Sequence, residues 1–318
     1  MIGKIYATGS YVPKRTLDNH DLAKMVDTND EWIRERTGIV RRHIVEEETT
    51  VSMAVEASKR ALKQGNVNVE ELDLILVSTI SSNVVLPCAA CEVQAAIGAI
   101  NAVAFDINLA CSGFVAAYQI AQAYVESGRY QSILVIGSEV LSTLTNWQDR
   151  GTCILFGDGA GATIIKAQEG RKYHSVLHSD GSMGGALTCN SRNNLISGGL
   201  PVDTYMQMEG QEVFKFAVKK VPEAINEVLE KNELRIEEID WLILHQANRR
   251  IIESISKRLQ IPIEKIPMNL QEYGNTSSAS IPLLLDELNT AGKLKSGQKI
   301  IMVGFGAGLS WGAVILEW

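Results

Sequence analysis

Three polar side chains in this 318-residue sequence could work on one carbonyl group together. Cys111 sits in NLACSGF (108–114), His245 opens HQANRR, and Asn275 lies in YGNTSSAS. Each follows an apolar strand or turn. A cysteine thiolate is a nucleophile, and two neutral N–H donors beside it can hold an oxyanion or an enolate. No Asp or Glu is evidently placed to polarise His245, so a serine-hydrolase type of triad is a poor match. Cys111 also precedes Gly113 and an apolar helical stretch. A helix N-terminus there would favour the thiolate, and Gly113 would let substrate or backbone approach closely. Alone, each residue has a plainer role: an inert buried thiol, a satisfied or exposed histidine, a turn or capping asparagine.

An internal repeat supplies the case for bringing them together. Aligning Asp73 in EELDLILVST with Asp240 in EEIDWLILHQ gives an offset of 240 − 73 = 167. At that offset Ala57 meets Ala224, Leu62 meets Leu229, Asn108 meets Asn275, Cys111 meets Ser278 and Gly137 meets Gly304. The register holds without a gap over about 54–137 and 221–304. Two long copies are not a solenoid, which needs several short ones. They predict two similar half-domains packed together.

The elements alternate. Helical spacing covers 53–64, 89–97, 113–127, 212–232, 251–259 and 281–289. Short apolar runs at 72–79, 102–107, 132–137, 163–166, 241–244, 299–303 and 313–317 read as strands. Buried strands between amphipathic helices mean sheets covered on both faces. With the repeat, the expected architecture is a layered α/β/α/β/α fold: an N-terminal half over 1–170, a connecting segment over 171–210 that looks irregular, and a C-terminal half over 211–318. His245 then stands at the carboxyl end of a strand, where open α/β sheets place ligands.

Bulk properties exclude several classes. At 46% apolar the chain can bury a large core. A formal charge of −7 with no block of Lys or Arg argues against a general nucleic-acid binder, while leaving room for a local basic patch. MIGKIYATGSYVPKR lacks the pattern of a signal peptide, and no run of 18 apolar residues is present, so a soluble cytoplasmic protein is expected. Five cysteines (Cys88, Cys91, Cys111, Cys153, Cys189) form no disulfide framework. Cys88 and Cys91 have C-x-x-C spacing without a second pair or a nearby His for zinc, and they read as small apolar residues packed in a helix. FGDGAGA (156–162) and GFGAG lack the features of a nucleotide-binding loop and read as tight turns. No metal-ligand set is recognised.

The whole chain resembles β-ketoacyl-acyl carrier protein synthase III, the initiating condensing enzyme of type II fatty acid synthesis in the thiolase superfamily. DTNDEWIRERTGI, NLACSGF, DRGT…LFGDGAGA, HQANRRII and YGNTSSASIP occur in the family's order. The resemblance implies a thiolase fold, a homodimer, and an acyltransferase of the acetyl-CoA type that needs no cofactor. Its reaction is a decarboxylating Claisen condensation of an acyl-CoA starter with malonyl-acyl carrier protein, giving a 3-oxoacyl-acyl carrier protein. It implies Cys111 as nucleophile and His245 and Asn275 as enolate donors, with backbone N–H groups of Cys111 and Ala307 as the oxyanion hole. Elongating relatives use two histidines, so Asn275 points to the initiating branch. Trp32 and Arg150 would sandwich the CoA adenine, and Thr28, Arg36, Gly151, Gly210, Phe214, Ala247 and Asn248 would line the CoA path. Gln246, Ala247, Asn248, Arg249 and Arg250 match the carrier-docking segment, and Leu86 matches an interface residue that bounds the acyl pocket. The starter stays open among acetyl, branched and longer chains, as does primary against secondary metabolism. Two other readings are an acyltransferase on the same scaffold making an ester or a quinolone, and a binding module with a vestigial site.

Overall fold

The computed structural model describes residues 1–191 and 203–318, so part of the expected connecting segment lies outside the described residues. Strands are labelled β1 (Ile2–Tyr11), β2 (Leu74–Ser78), β3 (Val103–Ile107), β4 (Ser132–Glu139), β5 (Gly159–Gln168), β6 (Val176–Ser179), β7 (Trp241–Leu244), β8 (Lys299–Gly306) and β9 (Ser310–Glu317). The principal helices are α1 (Asp30–Thr37), α2 (Thr50–Gly65), α3 (Ala89–Ile97), α4 (Gly113–Glu126), α5 (Gly210–Lys231), α6 (Arg249–Leu259) and α7 (Ser280–Thr290).

One sheet runs β1-β5-β4-β2-β3 and the other β7-β8-β9-β6. Within them β2 pairs parallel with β3 and β4, and β7 pairs parallel with β8, while the remaining pairs are antiparallel. The residues of β2 and β4 are buried throughout, as expected of strands covered on both faces. Phe114, Val115 and Tyr118 of α4 and Ile281, Leu284 and Leu285 of α7 share one core with Leu76, Val135, Ile243 and Met302 from both sheets. Two further cores seat α2 and α3 on the first sheet, and α5 and α6 on the second. These are the five layers that the sequence predicts.

The repeat explains local structure as well as layering. Asp73 Oδ2 accepts the N–H groups of Gln131 and Ser132, and Asp240 Oδ2 accepts that of Lys299, so each copy ties the start of one strand to another in the same way. The capping box of Thr49 and Ser52 starts α2. Asn66 ends it in the left-handed region, as Glu233 does one repeat later. Short 3-10 turns precede both middle helices, Ala110–Ser112 and Ser277–Ala279. Each opens on a non-glycine residue with positive φ, +43° at Ala110 and +49° at Ser277. Such a conformation costs roughly 1–2 kcal/mol, which the surrounding packing must hold in place. The paired glycines make that packing possible. A Cβ on Gly304 would stand 2.9 Å from Ser112 Cα, and one on Gly137 2.7 Å from the Ser278 carbonyl carbon.

The structure departs from the expected pattern in several places. Ile2–Tyr11, for which no element was expected, is an edge strand of the first sheet, and Gly159–Ala162, expected in a tight turn, already belongs to β5. At the offset of β3 the second copy holds a short helix, Leu270–Tyr273, rather than a strand. The stretch expected to be an irregular connection contributes β6 to the second sheet, and a small two-stranded ladder joins Leu187–Cys189 to Met206–Met208.

Candidate active site

Cys111, His245 and Asn275 line one cavity with Phe156, Ser277 and Ala307. All three are buried: Cys111 in the strained turn before α4, His245 just past β7, and Asn275 in the segment leading to α7.

Asn275 is clasped by the main chain. Its N–H donates to Leu155 O at 2.8 Å, and its carbonyl accepts the Gly157 N–H at 3.1 Å. Buried Arg42 braces that clasp, donating Nη2 to Ile154 O at 2.7 Å and Nη1 to Asn19 Oδ1 at 3.0 Å. The Asn275 side-chain oxygen accepts the Ser277 N–H at 2.9 Å. That contact assigns Oδ1 to the turn and leaves Nδ2–H2 as the donor group available to the cavity.

His245 is fixed from both sides. Its N–H donates to Val303 O at 2.9 Å, and its ring meets Phe305 edge-on with centroids 5.2 Å apart. Nδ1 lies 2.7 Å from Ser280 Oγ, and the same oxygen accepts the Gln246 N–H at 3.3 Å. The Ser280 hydroxyl can donate to Nδ1, and in that tautomer the ring carries its proton on Nε2. Burial lowers the His245 pKa to about 3, so the imidazole is neutral at physiological pH. A neutral Nε2–H ring donates a hydrogen bond without first having to lose a proton.

The thiol differs from its expected state. The helix-terminus argument predicts a lowered pKa, whereas burial pushes Cys111 up to about 12, with the Glu139 carboxylate adding to the rise. Ser277 and a backbone N–H pull in the other direction without offsetting it. Cys111 belongs to the 3-10 turn before α4 and is buried, and that burial is the largest cause of the rise. Gly113 also has another use: it admits the Ser78 side chain against the start of α4. Gly306 does what Gly113 was expected to do, since a Cβ there would stand 2.7 Å from Cys111 Cβ and 3.2 Å from its sulfur. Gly306, and with it the turn to Ala307, therefore sits directly against Cys111.

Sequence reasoning did not find Glu139, Ser277 or Ser280. Glu139 is wholly buried at the end of β4. It accepts Thr79 Oγ1 at 3.2 Å, the Ile80 N–H at 3.1 Å and Ser81 Oγ at 2.8 Å on Oε2, and Ser278 Oγ at 3.0 Å on Oε1. Ser277 Oγ makes no hydrogen bond of standard geometry among the described residues, yet it stands near enough to Cys111 and Glu139 to favour their ionised forms. Its place in the repeat, opposite Ala110, was the available signal.

The residues carried over for ligand binding divide into groups. Gly210, Phe214, Ala247 and Asn248 line the cavity with Cys111, His245 and Asn275. Trp32, Arg36 and Arg150 meet at an outer surface, with the guanidinium carbons of Arg150 and Arg36 at 5.0 and 5.8 Å from the Trp32 ring centre. Arg150 Nη1 donates to Asp27 O at 3.0 Å, and Thr28 Oγ1 is buried without a partner among the described residues. Gly151 donates its N–H to Asp149 Oδ1 at 2.9 Å. Asn248 caps α6 and reaches Arg36 O at 3.0 Å, linking the outer surface to the cavity rim. Arg249 and Arg250 are exposed, but Gln246 is buried and cannot offer its side chain to a docking partner. It is spent on Leu244 O at 2.8 Å and the Asn269 N–H at 3.1 Å. Leu86 is 84% exposed and is not part of its own chain's cavity. Among the described residues there is no group of three or more His, Cys, Asp or Glu that could hold a metal, and no helix is long and apolar enough to cross a membrane.

Comparison with known proteins agrees along the whole chain. Residues 105–181 match the family model for 3-oxoacyl-[acyl-carrier-protein] synthase III, and 229–318 match that for its C-terminal part. Beta-ketoacyl-[acyl-carrier-protein] synthase III of Clostridium novyi is 47% identical over 319 residues, covering 99% of this chain and 98% of that protein. The protein of the same name from Clostridium acetobutylicum is 48% identical with the same coverage. Among solved structures, 3-oxoacyl-[acyl-carrier-protein] synthase III from Aquifex aeolicus superposes with a TM-score of 0.94 at 45% identity, over 99% of this chain and 100% of that one. The priming beta-ketosynthase of the R1128 polyketide pathway superposes with a TM-score of 0.95 at 36% identity, over 99% and 96%. This chain belongs to the β-ketoacyl-[acyl-carrier-protein] synthase III family, on a thiolase fold.

Proposed function

We propose that Cys111, His245 and Asn275 carry the family's reaction, the condensation that initiates fatty acid biosynthesis. The Cys111 sulfur attacks the thioester carbon of an acyl-CoA, and the CoA thiol leaves. The carbonyl oxygen is held meanwhile by the N–H groups of Cys111 and Ala307. Malonyl-acyl carrier protein follows and loses carbon dioxide. The enolate oxygen accepts His245 Nε2–H and Asn275 Nδ2–H, and the enolate carbon attacks the acyl-cysteine. The Cys111 thiolate is expelled with the 3-oxoacyl product formed on the carrier.

The observation that carries this reading is the donor polarity of the pair. Ser280 occupies His245 Nδ1 and the Ser277 N–H occupies Asn275 Oδ1, so two N–H donors are available beside the thiol. Two neutral donors stabilise an enolate and cannot remove a proton, which suits decarboxylation. Trp32 with Arg150 and Arg36 supports an adenine site at the outer surface, reached over Asn248. The edge strand β3, with Val103 50% exposed, and the exposed Ile100 and Leu86 support a homodimer through β3, in which Leu86 would bound the partner's acyl pocket. The substrates are water-soluble, and the reading places the protein in the cytoplasm.

The test separates the two half-reactions. Cys111→Ala abolishes the acyl-enzyme seen by intact-protein mass. His245→Ala and Asn275→Ala retain acyl transfer and lose malonyl decarboxylation, each donor being commonly worth about 3 kcal/mol. Normal decarboxylation in either donor variant would remove that residue from the enolate site.

A further inference from the structure

On the proposed mechanism the acyl carbonyl oxygen is held between two backbone N–H groups, those of Cys111 and Ala307. Such a pair stabilises an oxyanion well only when both donors are fixed before the reaction. The two belong to different turns, one ahead of α4 and one between β8 and β9, so chain connectivity does not set their spacing. Packing brings the turns together: a Cβ on Gly306 would stand 2.7 Å from Cys111 Cβ. Packing contacts have little directional preference, whereas a hydrogen bond prefers one line.

Two wholly buried hydroxyls supply that direction. Ser112 Oγ lies 3.1 Å from Ser310 O and 2.7 Å from Ser310 Oγ, across 198 residues of sequence. Ser310 pairs with Gly306 across the β8–β9 hairpin, and its Oγ lies 3.0 Å from Ala307 O. Whichever Ser310 oxygen takes the Ser112 proton, Ser112 is bound to Ser310. Where that oxygen is Oγ, the Ser310 proton is left for Ala307 O. Among the described residues, these are the hydrogen bonds that join the two turns. The Leu309 end of the hairpin is anchored separately, through backbone bonds of 2.8 and 3.0 Å with Asp180.

The helix has no use for the Ser112 hydroxyl. Ser112 is the N-cap of α4, a position where serine ordinarily binds its own helix, and it makes no such bond. One repeat later Ala279 holds the same place, after the same kind of 3-10 turn and ahead of α7. The fold therefore builds this turn without a hydroxyl, and the serine is spent on the β8–β9 turn instead. Neither Ser112 nor Ser310 lines the cavity, so both act through the backbone. We propose that Ser112 and Ser310 are positioning residues that lock the turn of Cys111 to the turn of Ala307 and set the spacing of the two oxyanion donors. The proposal rests on those N–H groups being the oxyanion site.

The test reads the carbonyl itself. The full-length protein is acylated with a carbon-13 carbonyl label, and the infrared band of the acyl-enzyme is compared with that of the same thioester in an apolar solvent. The wild-type band should lie at lower frequency, because two N–H donors weaken the C=O bond. In Ser112→Ala, which severs both contacts to Ser310, the band should move toward the free value and broaden. Single-turnover acylation should slow about tenfold, short of the roughly hundredfold or more that outright loss of one donor costs. Affinity for CoA, which has no acyl carbonyl, should be unchanged. Ser310→Ala keeps the Ser112 bond to Ser310 O and should change both readouts less, and Ser310→Thr, which retains the hydroxyl, should match the wild type. Each alanine variant leaves the surviving hydroxyl a backbone acceptor, so no buried donor is stranded, and far-ultraviolet circular dichroism checks the fold. A wild-type band at the free value would overturn the oxyanion reading and this proposal with it. A lowered wild-type band that stays in place in Ser112→Ala would overturn the clamp alone, as would a loss of CoA affinity equal to the loss of acylation.

Discussion

The Ser280 hydroxyl lies 2.7 Å from His245 Nδ1, and the two residues come from the first position of α7 and the end of β7. A helix start thus sets the tautomer of a histidine presented by a sheet. When the Ser280 hydroxyl donates to Nδ1, the ring proton lies on Nε2. On the proposed mechanism Ser280 is a positioning residue, acting on the enolate only through His245.

Ser280→Ala frees Nδ1 to take the proton and lets Nε2 become an acceptor. One lost hydrogen bond of about 1.4 kcal/mol corresponds to about tenfold in rate. Decarboxylation should fall by about that factor, while acylation of Cys111 by acyl-CoA changes little. Ser280→Thr keeps the hydroxyl and should recover most of the loss. Equal loss in both half-reactions would point to general disturbance of the cavity instead.

Glu139 yields a second prediction. Every contact it makes is as an acceptor, from Thr79, Ile80, Ser81 and Ser278. Glu139→Gln turns one of its two oxygens into an NH2 group facing donors. Leaving buried donors unmatched costs about 1–3 kcal/mol each, so thermal unfolding should shift down by several degrees. Burial also raises the Glu139 pKa, which sets a pH sign. Between the ordinary carboxylate range and the raised value, the folded state holds a proton that the unfolded state has lost. Its stabilising contribution is complete below the ordinary range and declines as pH rises through the raised pKa. His245 acts in the opposite sense, losing stability as pH falls from about 6.5 toward its lowered pKa of about 3. His245→Gln removes that ionisable group and should flatten the loss in the window from 6.5 to 3 when followed by denaturant unfolding.

Much of this molecule was legible because the repeat constrains several elements at once. Aligning Asp73 with Asp240 implied two sheets, two middle helices, and opposed turns bearing Cys111 and Asn275. Buried strands such as β2 and β7 are short apolar runs, and helices such as α3 have clear spacing, so their types could be read locally. Glu139 and Ser280 could not be found that way. A carboxylate after an apolar strand is ordinarily solvated, and a serine opening a helix is ordinarily a cap. What distinguishes them is burial against a segment more than a hundred residues away for Glu139, and more than thirty away for Ser280. The misread state of Cys111 has the same origin: the local helix was visible, and the complete desolvation around the thiol was not.

That desolvation gives a third prediction. With a pKa raised to about 12, Cys111 is a thiol in the free protein and must lose its proton in the course of acylation. The acylation rate at low acyl-CoA should therefore keep rising through the alkaline range, without levelling near the value of about 8.5 of an unperturbed cysteine. Single-turnover acylation followed by mass against pH tests this. A plateau reached below pH 7 would mean that the thiolate already exists in the resting site.

The two arginines that open α6 are not equivalent, and the difference provides a test of carrier docking. Arg249 Nε is 2.7 Å from Glu253 Oε1, one turn along the helix, so much of its charge is balanced locally. Arg250 makes no ion pair among the described residues, and its guanidinium stands over the Phe214 ring at 5.7 Å. The chain carries a net charge of −7, yet fields from exposed charges decay over roughly 8–10 Å at moderate salt, so an acidic carrier protein close to α6 responds to Arg250. Arg250→Glu places like charge against like and should slow condensation with malonyl-acyl carrier protein severalfold or more, most strongly at low salt. Because Phe214 lines the cavity, the substitution also removes a ring contact, and Arg250→Met serves as the control that leaves an apolar side chain beside the ring without the charge. Arg250→Met should show a smaller loss of condensation, and both variants should acylate Cys111 from acyl-CoA at close to the normal rate. Arg249→Glu, which sets a second acid beside Glu253, should cost less carrier-dependent rate than Arg250→Glu. If Arg250→Glu slows acylation as much as condensation, the residue supports the substrate channel, and carrier docking must be sought on another face.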